Sequence, residues 1–458
     1  MHLRFFYPLL FSAVTLTGCG GDDDSNNVVS DIVSSITLSN EEIDVNEPMD
    51  PVSFNGGKTL TFNGGMGRGA FHSKDADVDE FYTITNRGPN IPCADSMEIL
   101  GVENFCTDVN GQVDNNGTIF AIPTFTPTIY RFNIDLGGVV GTKVGYEVKE
   151  TINLRDRDNN VISGLTNLPQ GGTTENGYDN NGNPLAFDPA GVNPSALVKL
   201  SNDTFWLAEE YAPSLVHIAG NGRILERIVP FGMGINLAAA NYRVIESLPA
   251  ILRKRPFNRG IESLAISPDE QFLYFTMESP LANPDDSAFQ NSRYVRLFKI
   301  SLQQGDWENI VGEYVYVIDE PDTFTVDNTE LQSDVKVSEM VALDTDKLII
   351  LERVKRHTKL YRISSLDNAT NISGSEWDSE ASSPSLEKLS DLTTQGITSL
   401  GKELVFDSRR DISDLDFNIE GLALLNDEYA VFTNNNDFGI RGDQMRFTVT
   451  NIVEKLNQ

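Results

Sequence analysis

Residues 255–281 read Arg-Pro-Phe-Asn-Arg-Gly-Ile-Glu-Ser-Leu-Ala-Ile-Ser-Pro-Asp-Glu-Gln-Phe-Leu-Tyr-Phe-Thr-Met-Glu-Ser-Pro-Leu, and this stretch decides the fold class. It splits into two short strands around a turn. The first is predicted over 261–266 and carries Glu262 near its start. Ser267-Pro268-Asp269-Glu270 makes the turn, because proline presets φ and an aspartate can bond its own backbone. The second strand, 272–277, is aromatic and β-prone and ends on Glu278. One hairpin thus carries a carboxylate at each end.

The unit recurs. Val337–Leu343 leads through Asp344-Thr345-Asp346 into Lys347–Arg353, and Ile419–Leu424 leads through Asn426-Asp427 into 429–437. Pro194–Val198 followed by Thr204–Glu210 is a weaker copy. Phe81–Arg87, after Gly65, Gly67 and Gly69, is another, and Gly117–Pro123 reads as half of a sixth. The anchors Ser195, Glu262, Glu339 and Glu420 recur roughly every 65 to 80 residues, the signature of a repeat array built from strands. The expected fold is all-β, a β-propeller of six blades, or seven.

Composition narrows the function. The chain has 458 residues, 67 acidic against 35 basic, for a net charge of −32. Such a surface repels nucleic acid and anionic headgroups, which excludes sequence-independent DNA binding. At the N-terminus, Met1-His2-Leu3-Arg4 and the apolar run 5–16 form a targeting segment too short to span a bilayer. Leu16-Thr17-Gly18-Cys19 resembles the bacterial lipobox, which implies a signal segment with its lipobox over 1–19, cleaved so that Cys19 is left as the lipidated N-terminus. Residues 20–50 read as a disordered linker and 51–458 as the propeller domain. Gly20, where an aspartate would mark inner-membrane retention, points to an outer-membrane lipoprotein facing the periplasm or the exterior. It would be a monomer that touches membrane only through its lipid. Cys93 and Cys106 then remain for a disulfide, the simplest use in an oxidising compartment. The other reading is a two-thiolate metal site with only His72 nearby.

Three stretches stand outside the repeat. The Asp/Asn/Gly-rich residues 154–183 suit turns or calcium loops, although no acidic ligand closes them in the EF-hand manner. Residues 241–254 form the one helical run, interrupted by Pro249. Residues 367–385 are polar, serine-rich and without strand pattern, hence a surface insertion.

In a propeller the innermost strands line a central channel, so a residue repeated in every blade forms a ring. Glu262, Glu339 and Glu420 would converge there, with Asn86, Glu210, Glu278, Glu352 and Asn436 as a second ring at the strand ends. Carboxylates this close stay ionised only beside a cation or basic side chains. Two readings stay open. Hard oxygen donors suit Ca²⁺, with Glu210, Glu352, Asn436 and Asp437 as ligands. Alternatively, Arg87, Arg259 and Arg353 neutralise the acids and the ring only locks the blades. A cation beside arginines would also make a phosphoryl site, with a free carboxylate as base. Other catalytic patterns are missing: no Gly-x-Ser-x-Gly elbow occurs, and His357-Thr358-Lys359 is followed by Ser364 where a phospholipase D motif needs aspartate.

At these residues the chain resembles the bacterial family named esterase-like activity of phytase, the phytase-like domain. The resemblance covers residues 60–440 and rests on Asn86-Arg87-Gly88-Pro89-Asn90, 122–127, Phe205–Pro213, Asn258–Ala265, Leu351-Glu352-Arg353 and Asn434–Gly439. It implies an acid-rich propeller and a phosphoesterase activity. Departures are Asn86 for the family's aspartate, Asn193-Pro194-Ser195-Ala196 without its glutamate, and Asn434-Asn435-Asn436-Asp437 for its Asn-Asp-Asn-Asp ending. The resulting expectation is a Ca²⁺-assisted hydrolase of a small phosphorylated substrate. Glu262, Glu339 and Glu420 would be the catalytic acids, and Arg87, Arg259 and Arg353 the phosphate contacts. The alternatives are a non-catalytic ligand- or protein-binding propeller and a calcium-dependent lactonase.

Overall fold

The hairpin of 255–281 opens one of five large sheets in the computed structural model, which describes residues 40–136, 145–167, 174–303 and 310–458. The lipobox and Cys19 lie outside these residues. Blade 1 is built from Arg68–Phe71, Glu80–Ile84, Thr128–Ile134 and Tyr146–Asn153. Blade 2 uses Pro194–Lys199, Thr204–Glu209, Ser214–Ala219 and Ile224–Pro230. Blade 3 uses Ile261–Ile266, Phe272–Met277, Tyr294–Ser301 and Ile310–Val317. Blade 4 uses Lys336–Asp344, Lys347–Arg353, Thr358–Ile363 and Glu403–Asp407. Blade 5 uses Ile419–Leu424, Ala430–Asn434 and Met445–Thr450. The first strand of each sheet packs against the first strands of both neighbours, so the inner strands close into a ring.

The described residues thus form five blades, where the sequence spacing suggested six. The expected half-blade at 117–123 instead supplies Thr118–Phe120 to a small sheet with Asn90–Pro92 and Gly177–Tyr178. Ile91, Cys93, Phe105, Ile119 and Tyr178 give that sheet its own buried core, which Phe438 joins from the end of blade 5's second strand. The Cys93–Cys106 disulfide staples it, closing a loop with a sequence separation of 13. Cys106→Ser should cost about 3 kcal/mol, the chain-entropy value for a loop of that size, as a fall in the urea midpoint.

Three other expectations change. Part of the stretch read as linker is strand: Asn40–Val45 pairs antiparallel with Met445–Thr450 and completes blade 5. Residues 241–254 are not an α-helix. Arg243–Leu248 is a fifth strand of blade 2, parallel to Ile224–Pro230, and a 3-10 turn follows over Ala250–Lys254. Adjacent Val244 and Ile245 are β-branched, and an unpaired sheet edge offers the partner that local propensity lacks. The Asp/Asn loops are turns. Asp179 Oδ1 accepts the backbone N–H groups of Asn181 and Asn183 at 2.8 Å, and Asp156 Oδ1 accepts that of Asn160. These carboxylates are engaged by donors rather than arranged for an ion.

The insertion after blade 4's third strand buries Ile372, Trp377, Leu386, Leu392 and Ile397 against Val315 of blade 3. A buried ionic knot fixes it. Arg296 reaches Glu313 Oε1 at 2.6 Å and Glu387 Oε1 at 3.0 Å, with Asp378 Oδ1 3.8 Å away. Burial pushes the Glu313 carboxyl well above its ordinary value of 4.5; Arg296 opposes the shift and Asp378 adds to it. The folded chain therefore keeps a proton that the unfolded chain releases above about pH 4.5. The stability linked to it is complete below that pH and declines as pH rises toward the folded value, by at most about 1.4 kcal/mol per pH unit. Glu313→Gln keeps an acceptor for Arg296 and a donor for Asp378, so it should flatten the difference between urea midpoints at pH 5 and pH 8.

Candidate functional site

Every inner strand carries a β-bulge at the same place. The register slips between Arg68 and Ala70, Pro194 and Ala196, Ile261 and Ser263, Val337 and Glu339, and Ile419 and Gly421. The bulged residues are therefore Gly69, Ser195, Glu262, Ser338 and Glu420. Bulges re-aim side chains, and here they stand where the inner strands begin, at one end of the channel. Gly260, just before blade 3's inner strand, permits the approach, since a Cβ there would collide with the Glu210 carbonyl oxygen.

Glu210, Glu262 and Glu278 meet at this end, with one carboxylate oxygen from each lying within 4.8 Å of the others. Their exposures are 3%, 1% and 1%. Glu210 accepts from Asn258 Nδ2 at 2.9 Å and Asn193 Nδ2 at 3.3 Å. Lys336 Nζ lies 2.5 Å from Glu278 Oε1. Glu262 Oε2 and Glu278 Oε2 are buried without any hydrogen-bond partner.

Arg68 ties the cluster together. Its Nη1 reaches Glu210 Oε2 at 2.9 Å and Glu262 Oε1 at 3.1 Å, and its Nε lies 2.9 Å from Glu420 Oε2. Arg353 pairs with the other oxygen of Glu420 and donates from Nε to Ser338 Oγ at 2.9 Å. Asp437, exposed at the mouth, feels the charges of Glu420, Arg68, Lys336 and Arg353. Burial, then the Glu210 charge, holds Glu262 well above the carboxylate range against the pull of Arg68. Burial also raises Glu210. Glu278 is lowered: Lys336 and Arg259 outweigh its burial. Four buried glutamates and Asp437 thus face Arg68, Arg259, Arg353 and Lys336, one positive charge short, and Glu210 and Glu262 are among the acids raised. A hard divalent cation, with water completing its shell, fits such a donor set.

The structure separates residues that the sequence grouped. Glu339 is one place beyond the bulge, where its equivalents are Ala70, Ala196, Ser263 and Gly421. Its carboxylate accepts the N–H of Met340 at 2.9 Å and of Ala70 at 3.0 Å, and also bonds the Leu422 backbone. It joins blades 4, 5 and 1 across the channel and is no part of the triad. Glu352 pairs with Val337 as Glu209 pairs with Pro194, so Arg353, not Glu352, occupies the place of Glu210 and Glu278. Glu352 instead bonds the Tyr316 hydroxyl and Lys402 Nζ, each at 2.5 Å, inside blade 4. Asn436 Nδ2 contacts the Asn63 and Asp443 carbonyls at 3.4 Å, and Asn86 Oδ1 closes its own turn on Gly88 N. Arg87 pairs with Glu175 and lies over Phe120, 5.2 Å from the ring centre. Arg259 differs from both other arginines: its Nη1 is buried without a hydrogen-bond partner while its guanidinium lies over Phe289. Arg68 was missed. The signal was there, an arginine at the strand position where Ile261, Val337 and Ile419 are apolar.

Among solved structures, the chain is similar to a luciferin-regenerating enzyme at 9% identity and a TM-score of 0.32, over 85% of this chain and 92% of that one. A virginiamycin B lyase from Staphylococcus aureus gives 11% and 0.31, over 90% and 99%. The periplasmic gluconolactonase PpgL of Pseudomonas aeruginosa gives 9% and 0.31, over 88% and 90%. At these scores the likeness assigns no function. No curated protein matches the chain. The model of the phytase-like family does match, over residues 113–438, a span that holds Glu210, Glu262, Glu278 and Glu420 and leaves Arg68 upstream. With more than half of its length matched, the chain belongs to the phytase-like family, described as esterase-like activity of phytase.

Proposed function

We propose that this propeller is a metal-assisted phosphoester hydrolase of the bacterial envelope, anchored through Cys19 at the outer membrane. The observation that carries the reading is the convergence of Glu210, Glu262 and Glu278 with two buried carboxylate oxygens left without donors. Glu210, Glu262 and Glu278 would hold the ion, and their all-oxygen chemistry favours Ca²⁺. Such an ion, when bound, polarises a phosphoryl oxygen. Arg259 Nη1 would donate to another phosphoryl oxygen. Asp437, the exposed acid of the group, would take the proton of the attacking water. A P–O bond forms to that water, the P–O bond to the leaving alkoxide breaks, and the alkoxide takes a proton from solvent while Asp437 gives its own back to solvent. Glu420, neutralised by Arg68 and Arg353, positions rather than reacts, and Arg87 and Arg353 hold the walls.

A second reading has its own support. Arg68 already spans Glu210, Glu262 and Glu420, as a structural lock in a non-catalytic binding propeller would. Metal content and calcium-dependent thermal shift of the purified protein separate the two. Calcium at 100 times its Kd should stabilise the native state by about 2.7 kcal/mol, and Glu262→Gln with Glu278→Gln should erase that shift without unfolding the chain. A calcium-dependent hydrolysis of phosphomonoesters or diesters, lost in the same double variant, would complete the test. No bound ion and no shift would leave the lock.

A further inference from the structure

The far end of the channel differs in chemistry. Beyond Glu339, the later halves of the inner strands enclose a cavity of about 210 Å³ lined by Phe71, Leu264, Ile266, Met340, Leu422 and Leu424, among others. Glu339 closes it toward the carboxylate cluster, because its bonds to Ala70, Met340 and Leu422 fill the passage. An apolar protein cavity of about 150 Å³ stays dry and takes up benzene, so this space accepts a longer hydrocarbon. Its mouth is polar, and Lys199 there is engaged by Asp203 at 3.1 Å, which leaves Lys74 as the lysine open to a ligand. Lys74 and Lys199 stand there with Glu270 as the one lining acid, in a chain whose net charge is −32. The Lys74 side chain is 57% exposed, and its Nζ reaches only Glu270 Oε1 and the Pro268 carbonyl, both at 3.4 Å.

We infer that this end of the channel binds a medium-chain fatty acid. The alkyl chain lies against Leu264, Met340 and Leu422, and the carboxylate rests at Lys74. Burying methylene groups drives binding at about 0.8 kcal/mol each, and the lysine selects the anionic head. The site is independent of any ion at the opposite end.

Decanoate and decanol, competing with the fluorescent apolar dye N-phenyl-1-naphthylamine, test the inference. Decanoate should displace the dye and raise Tm in the wild-type protein. Met340→Trp fills the cavity and should abolish displacement; Ala342→Phe is the substitute if the tryptophan does not fold. Lys74→Glu should weaken decanoate about fivefold to tenfold, the scale of a partly exposed ion pair turned repulsive, and leave decanol within about twofold. The inference is overturned if neither amphiphile displaces the dye, if the filled variants bind decanoate as the wild type does, or if Lys74→Glu treats both ligands alike.

Discussion

Replacing Arg68 with methionine should destabilise the folded chain by about 3–5 kcal/mol, the cost of removing one partner from a buried ionic group. Methionine restores much of the volume but none of the charge. Glu210, Glu262 and Glu420 would then lose a partner at 2.9–3.1 Å in a place that water barely enters. The Glu210 and Glu262 carboxyls would rise further above the ordinary range, so the deficit should shrink as pH falls toward 4.5 and grow at alkaline pH. Urea unfolding at pH 5 and pH 8 reads both effects. Adding Glu262→Gln to the Arg68 variant should recover part of the loss, because the surplus charge goes with the surplus acid. A loss under about 1 kcal/mol would mean that something other than Arg68 compensates the acids, and the network drawn above would be wrong.

Arg259→Ala should reduce kcat/KM for a phosphoester by about 10²–10³-fold, the effect of deleting one aligned donor to developing charge. Among the three arginines expected at the phosphate, Arg87 is committed to Glu175 and Arg353 to Glu420. Arg259 keeps a buried N–H without an acceptor, held in place by the Phe289 ring. A donor oriented in advance and left open suits an arriving phosphoryl oxygen. Calcium stoichiometry should stay unchanged, since Arg259 only influences Glu278 through its field. Loss of the ion together with activity would make Arg259 a support of the cation site. Unchanged turnover would remove it from the mechanism.

The hairpins were legible because strands announce themselves by turn residues and β-branched or aromatic runs, and 261–277, 337–353 and 419–434 fall where those signals lie. Registers were not. Ser338 and Glu339 are neighbours, and only the bulge decides which of them shares the place of Glu262. The same single step separates Glu352 from Arg353, and a one-residue slip moves a side chain to the other face. The count of blades failed for a related reason: Thr118–Phe120 has strand composition, yet it pairs inside a disulfide-stapled lobe rather than around the axis. Arg68 escaped notice because a search for repeated acids does not look for the one strand that supplies their counter-charge.

Asn40–Val45 is among the earliest described segments to leave the ribosome, and its partner is among the last. Asp44 and Arg446, which pair at 2.8 Å across that seam, are 402 residues apart in sequence. The ring therefore cannot close before residues 445–450 have been made. Until then, the opening strand waits unpaired and blade 5 presents a bare edge, open to other chains. Closure over such a separation slows the final folding step, and a holding factor that covers either edge during that wait would set how much of the protein reaches its native form.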